Sequence, residues 1–220
     1  MTMPRIKWMP VGLALAVLVL VHGFSHAWPD QVPPGQPAQM SSRLAYDPNL
    51  ADPYFSSHDW SYPLHIQEHP GGRFFDLSTR KRLDKNPPRL KHTAKCSSTY
   101  EEDHAVKFCS ARLLDENMID LVFKEDNASF YERLRVQIRS AMFTCQYWAN
   151  CDVCRYKGVI WSTKRQKLTL DKKEYRKGDV IKGRIDFECL QENTDPRILE
   201  DYGKCPTTIK VSGVFKTIVE

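Results

Sequence analysis

The sequence lacks the short motifs that define the best-known classes of enzyme. Its 220 residues contain no G-x-S-x-G, no H-E-x-x-H and no glycine-rich phosphate loop, the patterns of serine hydrolases, zinc proteases and nucleotide-binding enzymes. A catalytic triad assembles from residues far apart in sequence, so this absence excludes the motif-defined classes only. The sequence therefore favours a protein that is not an enzyme, and it predicts no cofactor.

Long apolar runs are absent after residue 27. Before that point, a basic start at Arg5 and Lys7 precedes an apolar run over residues 11–21, with small residues at 25 and 27. This pattern is typical of a secretory signal peptide and predicts cleavage after Ala27. The alternative is an uncleaved anchor, but the apolar stretch is shorter than the roughly 20 residues of a membrane-spanning helix. We therefore expect export, secreted or periplasmic, with no transmembrane span after cleavage.

A strong excess of charge of either sign is also missing. Removal of residues 1–27 leaves 30 basic and 27 acidic residues, a net charge of +3. So small an excess predicts weak contact with anionic surfaces and does not indicate a specific nucleic-acid binder. The expected partner is another protein or an envelope component.

Residues 28–91 form a proline-rich segment that we call the arm. It holds 10 of the 14 prolines, and because proline lacks a backbone donor it is excluded from sheet interiors. The arm is nevertheless rich in aromatic residues, which disordered linkers usually lack. Part of it is therefore expected to lie on the domain or on a partner, and an entirely flexible tail is the alternative.

A basic run begins near the end of the arm. It is interpreted either as a solvated approach to the domain or as an electrostatic patch for an acidic partner, an anionic polysaccharide or lipid head groups. With the nearby aromatic residues it supplies the predicted binding residues: Trp60, Tyr62, Phe74, Phe75, Arg80, Lys81 and Arg82.

Residues 92–220 show the periodicity of strands. From Ile181 to Cys189 apolar and charged residues alternate, and residues 208–219 follow the same rule more loosely. Successive side chains of a strand point to opposite faces, so this pattern predicts half-buried strands of an antiparallel sheet. Around Ser140 the apolar phase moves by one residue, which predicts a β-bulge. Two strands with a break, or a helix over residues 130–143, are the alternatives.

All seven cysteines lie in the expected exported part, where they are disulfide candidates first. A local scheme pairs Cys96 with Cys109 and Cys189 with Cys205, leaving Cys145, Cys151 and Cys154, of which two can pair. A second scheme follows an immunoglobulin-like order of cysteine, tryptophan and cysteine at Cys145, Trp161 and Cys189. Seven is odd, so at least one cysteine is free or pairs with another chain.

Other readings of the reactive residues remain open. Cys151-x-x-Cys154 has the spacing of a thiol-redox motif, but a predicted strand follows it, whereas redox motifs of this kind lie at the start of a helix. A zinc ribbon would need a second such pair of cysteines, which the sequence lacks. His58, His65 and His69 are a weak alternative for a metal site, since no regular element fixes them. Asn127 begins a glycosylation sequon.

The string Leu168-x-Leu170-Asp171-x-x-x-Tyr175-x-x-Gly178-Asp179-x-Ile181-x-Gly183-x-Ile185 resembles the opening strands of immunoglobulin-like sandwich domains of the macroglobulin and arrestin-like kinds. In such a domain Gly178-Asp179 would supply the turn that hands one sheet's strand to the next, and Tyr175 would close the end of the core. The resemblance spans about 20 residues, implies architecture only, and transfers no functional residue.

Together these observations predict an all-β protein. It would have a signal peptide over 1–27, the arm over 28–91, and a disulfide-stabilised, antiparallel immunoglobulin-like β-sandwich over 92–220. Its expected function is to bind another protein, or to act as a structural subunit, in an extracellular or envelope assembly. The alternatives are a thiol-redox or metal-handling protein and a hydrolase that acts on envelope polymers.

Overall fold

The computed structural model of the chain describes residues 40–57, 59–63, 65–77, 79–100, 102–126, 130–151, 159–196, 199–200 and 207–220. The predicted signal peptide, His58, Asn127, Cys154 and Cys205 lie outside these residues, as do the side chains of Asp126, Phe130, Asn150 and Cys151. Within them, no helical segment is both long and apolar enough to cross a bilayer.

The described residues include sixteen strands, one short 3₁₀ helix, Pro53–Ser56, and helical residues at Pro196, Leu199 and Glu200. The strands are β1 Ser41–Arg43, β2 Ala45–Tyr46, β3 Trp60–Ser61, β4 Ile66–His69, β5 Arg73–Asp76, β6 Lys81–Leu83, β7 Leu90–Lys91, β8 Ala94–Ser98, β9 His104–Val106, β10 Phe108–Asp115, β11 Met118–Asp126, β12 Phe130–Arg139, β13 Met142–Cys151, β14 Val159–Leu170, β15 Val180–Asn193 and β16 Thr207–Ile218.

Two large sheets hold the core. One has the order β1-β13-β12-β11-β10, and the other the order β2-β14-β15-β16-β8-β9. Neighbouring strands are antiparallel except β2, which runs parallel to β14. The all-β, antiparallel prediction is confirmed, and the helix alternative for residues 130–143 is wrong.

Period-two alternation decides which side chains enter this core. Ile181, Ile185 and Phe187 on β15 are fully buried, as the sequence pattern predicts. The inward faces of the two sheets share one apolar cluster, in which the rings of Phe123 and Phe215 meet edge to face at 5.1 Å between centroids. Burying a phenylalanine of this kind contributes about 1.5–3 kcal/mol.

One glycine permits a close approach of two strands within the core. Gly213 on β16 lies opposite Cys96 on β8, and its φ of 153° lies outside the range that other residues readily adopt. A Cβ atom there would overlap the Lys95 carbonyl oxygen and come within 2.5 Å of the Cys96 Cα. The β8–β16 pairing therefore requires glycine at this position.

Residues 40–47, which we call the strap, cross from one large sheet to the other. Ser41 pairs with Thr144 on β13, whereas Tyr46 pairs with Leu170 on β14. Between these contacts the Leu44 side chain enters the core and is almost fully buried. The strap thus extends both sheets along the side where β13 and β14 would otherwise be edge strands.

A buried glutamine fastens the strap. Gln166 on β14 donates from Nε2 to the Met40 carbonyl oxygen at 2.7 Å and accepts at Oε1 from the Cys145 backbone N–H at 3.2 Å. Both functions of the amide are satisfied although the residue is almost fully buried. It links the strap to the backbone of β13 across the gap between the sheets.

The 3₁₀ helix lies on the outer face of the six-stranded sheet. Asp52 caps it by accepting from the Tyr54 N–H at 3.0 Å, and the proline that follows suits a first helical position. Tyr54 and Phe55 are buried against Val214 of β16. This part of the predicted arm therefore lies on the large sheets.

Two expectations about turns need correction. Near Ser140 the chain makes a hairpin between β12 and β13. The two strands pair without a register shift, from Arg139 opposite Met142 to Phe130 opposite Cys151, so the predicted bulge is wrong. Ser140 itself has φ 55°, the left-handed conformation of a tight turn. The turn at Gly178, with φ 90°, joins β14 to β15 of the same sheet, not one sheet to the next. Tyr175 is buried at the core as expected.

The predicted disulfides need a similar correction. Cys96, Cys109, Cys145 and Cys189 are buried free thiols, so the Cys96–Cys109 pair of the local scheme and the Cys145–Cys189 pair of the second scheme do not form. Cys96 and Cys109 belong to different large sheets, and both side chains lie in the shared core without a disulfide bond. Buried thiols of this kind behave as small apolar side chains. We refer to them as the four buried thiols.

Candidate functional site

Most of the predicted binding residues lie in or beside a small antiparallel sheet, β4-β5-β6, built entirely from the arm. Pro70 and the two glycines after it form the turn between β4 and β5; Gly71 and Gly72 have φ of 85° and 70°. Strand pairing places Phe74 between Glu68 and Leu83, and Phe75 between Gln67 and Arg82. Because paired residues share a face, this register divides the small sheet into two chemically different faces.

The first face packs under Tyr62, and we call it the Tyr62 face. Phe74 is buried there, with its ring 4.6 Å from the ring of Tyr62, and the guanidinium of Arg89 lies 5.4 Å from the same Tyr62 ring. This face also has both acidic residues of the three strands. Its members are Ile66, Glu68, Phe74, Asp76, Lys81 and Leu83.

The second face is exposed, and we call it the arginine face. It contains no acidic residue, and its central side chain, Phe75, is only partly buried. The ring of His69 meets the Phe75 ring at 6.4 Å and 88°. Among the described residues, neither Arg73 nor Arg82 forms an ion pair with a carboxylate. The members of this face are Gln67, His69, Arg73, Phe75 and Arg82.

The sequence prediction therefore identified the small sheet as the place of the binding residues, but it did not show that these residues lie on two opposite faces. Phe74 and Lys81 belong to the Tyr62 face, whereas Phe75 and Arg82 belong to the arginine face. Arg80 lies in the turn before β6, with φ 56°. Arg73 was missed and His69 was predicted only as a weak metal ligand, although the alternation of β4 and β5 could have identified both as members of the face that holds Phe75.

Trp60 lies on a separate two-stranded pairing, β3 with β7. Its side chain is 51% exposed, and it lies directly across from Lys91. Exposed tryptophans are uncommon on surfaces that contact only water, and they are enriched where proteins bind each other. Trp60 is therefore the strongest single indication of a contact surface on the arm.

A second unusual feature is a buried carboxylate between the two large sheets. Glu132 on β12 is 2% exposed, and it faces inward because it is in phase with Leu134 and Val136. Its Oε1 accepts hydrogen bonds from Ser98 Oγ at 2.5 Å and from Tyr147 Oη at 2.7 Å. We call Glu132, Ser98, Tyr147 and His104 the Glu132 cluster.

His104 completes this cluster from the edge strand β9. Its Nε2 lies 2.9 Å from Glu132 Oε2, and its Nδ1 lies 2.8 Å from the Glu102 carbonyl oxygen. A carbonyl oxygen and a carboxylate oxygen are both acceptors, so this arrangement favours the protonated ring, in which both nitrogens donate. Burial alone lowers the pKa of His104, but its hydrogen bonds to Glu132 and Glu102 and the charges of Glu132 and Glu125 outweigh burial and raise it.

The Glu132 cluster has the residue types of a catalytic site without the access that catalysis needs. Ser98 is completely buried, and its hydroxyl bonds to the carboxylate and not to the imidazole. Glu125, also buried, lies directly across from Glu132 on β11, where its Oε2 accepts from the Lys107 N–H at 3.3 Å. The arrangement ties β8, β9 and β12 together, and we assign it a structural role.

The residues of the thiol-redox or metal-handling alternative lie partly outside the described residues, since His58, Cys154 and the side chain of Cys151 are not among them. Within the residues that the structure describes, no group of three or more histidine, cysteine or acidic side chains is placed to hold a metal ion. His65 is exposed, and His69 lies on the arginine face. Burial, with a smaller effect of the Glu132 charge, raises the pKa of Cys96 to about 12, and burial likewise raises the pKa of Cys109. Such thiols are poor nucleophiles.

Comparisons with protein families, with curated proteins and with solved structures find no match for this chain.

Proposed function

We propose that this is an exported, non-enzymatic protein whose arm binds another protein of an extracellular or envelope assembly. The two large sheets would form an immunoglobulin-like β-sandwich that supports the arm. The single observation that carries the proposal is the exposed Trp60, positioned on paired backbone, in the same arm as a small sheet with one face packed around the buried Phe74 and one exposed, cationic face.

Charge distribution supports the arm as the contact surface. Residues 59–91 contain seven basic and four acidic residues, an excess of +3. Residues 28–58 contain one basic and three acidic residues, so the positive excess of the arm lies in the part that contains Trp60 and the small sheet. A local excess of positive charge can orient an approaching acidic partner.

The sandwich type is supported by the two antiparallel sheets of five and six strands that share one core. Trp161 on β14 is buried in that core, where its ring lies 4.9 Å from the ring of Tyr147. Immunoglobulin-like domains also bury a tryptophan between their sheets. In this protein Cys145 and Cys189 are free, and the contact between Trp161 and Tyr147 packs the core where those domains have an inter-sheet disulfide.

Site-specific photocrosslinking tests the proposal. A photoreactive phenylalanine analogue at Trp60 in the full chain is expected to give a discrete adduct with one protein in the extracellular or envelope fraction of the source cells. The matched control places the same analogue at Lys210, 58% exposed on the six-stranded sheet, where no discrete adduct is expected. Equal adducts at both positions, or none at Trp60, would overturn the proposal.

A further inference from the structure

We propose that the arginine face binds an extended acidic segment of the partner protein, with carboxylates at alternating positions. This inference rests on the proposed function and specifies the chemistry of the partner. The observation that supports it is that Arg73 and Arg82 lie beside the partly exposed ring of Phe75, on a face whose strand residues include no carboxylate.

The spacing of the two arginines fits an extended peptide. Arg82 lies directly across from Phe75, and Arg73 is two residues before Phe75 on the same face, so the arginines are diagonal neighbours. Diagonal positions on adjacent antiparallel strands are about 7–8 Å apart. In an extended chain, residues i and i+2 point to the same side and are about 6.8 Å apart. Two alternate carboxylates can therefore meet the two guanidinium groups at once, each as a bidentate pair.

The remaining side chains complete the match. Phe75 offers its ring between the arginines for an apolar contact with the stem of an acidic side chain. Gln67, across from Phe75 on β4, can donate to and accept from the backbone of an extended peptide. These groups would prefer a peptide to a simple polyanion.

The distribution of the other basic residues also favours a peptide over a membrane or a polysaccharide. Lys81 is on the Tyr62 face, and Arg89 lies over the Tyr62 ring. Neither of these cations lies on the arginine face, where Arg73 and Arg82 are the two guanidinium groups of the described strands. Binding to an anionic bilayer gains from many simultaneous cations, whereas two guanidinium groups suffice for a short acidic motif.

Fluorescence anisotropy with two labelled peptides of identical composition tests the inference. One peptide has two glutamates separated by one valine, and in the other the two glutamates are adjacent, so that their side chains point to opposite sides when extended. The full chain is expected to bind the alternating peptide more tightly, and Arg73→Ser with Arg82→Ser is expected to weaken that binding about tenfold. The control Lys81→Ser with Lys85→Ser removes the same charge without touching the arginine face, and it should leave the affinity within about twofold.

Each other outcome has a defined meaning. Equal binding of the two peptides, or equal affinity of the two double variants, overturns the inference. Tighter binding of a heparin fragment or of phosphatidylserine vesicles that depends on Arg73 and Arg82 also overturns it and assigns the face to an anionic polymer or a membrane. All four substituted residues are exposed, so unchanged thermal midpoints verify folding. If neither peptide binds but the photoreactive analogue at Trp60 still gives its adduct, only this inference fails and the proposed function stands. If the analogue at Trp60 gives no adduct, the proposed function fails as well.

Discussion

Replacing Glu132 with alanine should remove a large part of the stability of the protein. The carboxylate accepts hydrogen bonds from three groups, Ser98 Oγ, Tyr147 Oη and His104 Nε2. In the variant the two hydroxyls lose their partner in a place that water does not reach, since Ser98 is 0% and Tyr147 5% exposed. His104 is less affected, because its side chain is 14% exposed.

The expected loss follows from these three groups. Leaving a buried polar group unsatisfied costs about 1–3 kcal/mol, so the two hydroxyls account for about 2–6 kcal/mol. Loss of the imidazolium partner adds to this, whereas removing one of two facing carboxylates, Glu125 and Glu132, relieves repulsion. We expect a net loss of about 3–5 kcal/mol, comparable to breaking other buried ion pairs. Domains are typically stable by about 5–15 kcal/mol.

Urea denaturation at pH 7, monitored by tryptophan fluorescence, measures this loss, and the thermal midpoint should fall by about 10 °C. Tyr147→Phe is the graded control, because it removes a single hydroxyl from the same oxygen and should cost about 1 kcal/mol. A loss below about 1 kcal/mol for Glu132→Ala would refute the reasoning. It would mean that water or rearranged side chains form hydrogen bonds with the Ser98 and Tyr147 hydroxyls in the variant.

Three further predictions concern other parts of the core. Because the folded-state pKa of His104 is raised above its ordinary value near 6.5, its stabilising contribution should be complete below about pH 6.5 and disappear as the pH rises through the folded pKa. The free-energy gap between wild type and His104→Gln, from urea titrations at several pH values, should therefore narrow as the pH rises; a widening gap would contradict this assignment. Gly213→Ala should lower the free energy of unfolding by about 3–5 kcal/mol, because the new Cβ overlaps the backbone and strains it. The control Gly72→Ala, where a Cβ meets nothing within 4 Å, should lower it by about 1 kcal/mol. Similar losses in the two variants would count against the close approach of β8 and β16. The four buried thiols should resist a thiol reagent in the folded protein and react in denaturant, as mapped by peptide mass, and rapid modification of Cys96 in native protein would exclude its burial.

Local periodicity predicted the fold class because it needs no knowledge of partners. The alternation from Ile181 to Cys189 is a property of one strand, and it places the same side chains in the core that the structure does. The strap was not predicted because proline marked the whole arm as unfit for a sheet. Residues 41–46 contain no proline, however, and an edge position requires only short pairing.

The sites were harder to predict because their members come from distant parts of the chain. Glu132 shares the phase of Leu134, which indicates an inward side chain, but nothing local identifies Ser98 and Tyr147 as its donors. The disulfide prediction rested on spacing alone, and spacing does not determine how two sulfur atoms meet in the folded chain. A spacing of 13 residues between Cys96 and Cys109 gives no information about which sheet each cysteine joins.

The strap has a consequence for the order of assembly. Ser41 leaves the ribosome about a hundred residues ahead of its partner Thr144, and Ala45 still further ahead of Thr169. These contacts can form only after β13 and β14 have been synthesised, when the first-made segment returns to strands that appear long after it. Closing so long a loop is slow, and until it happens the backbone edges of β13 and β14 stay open to neighbouring chains.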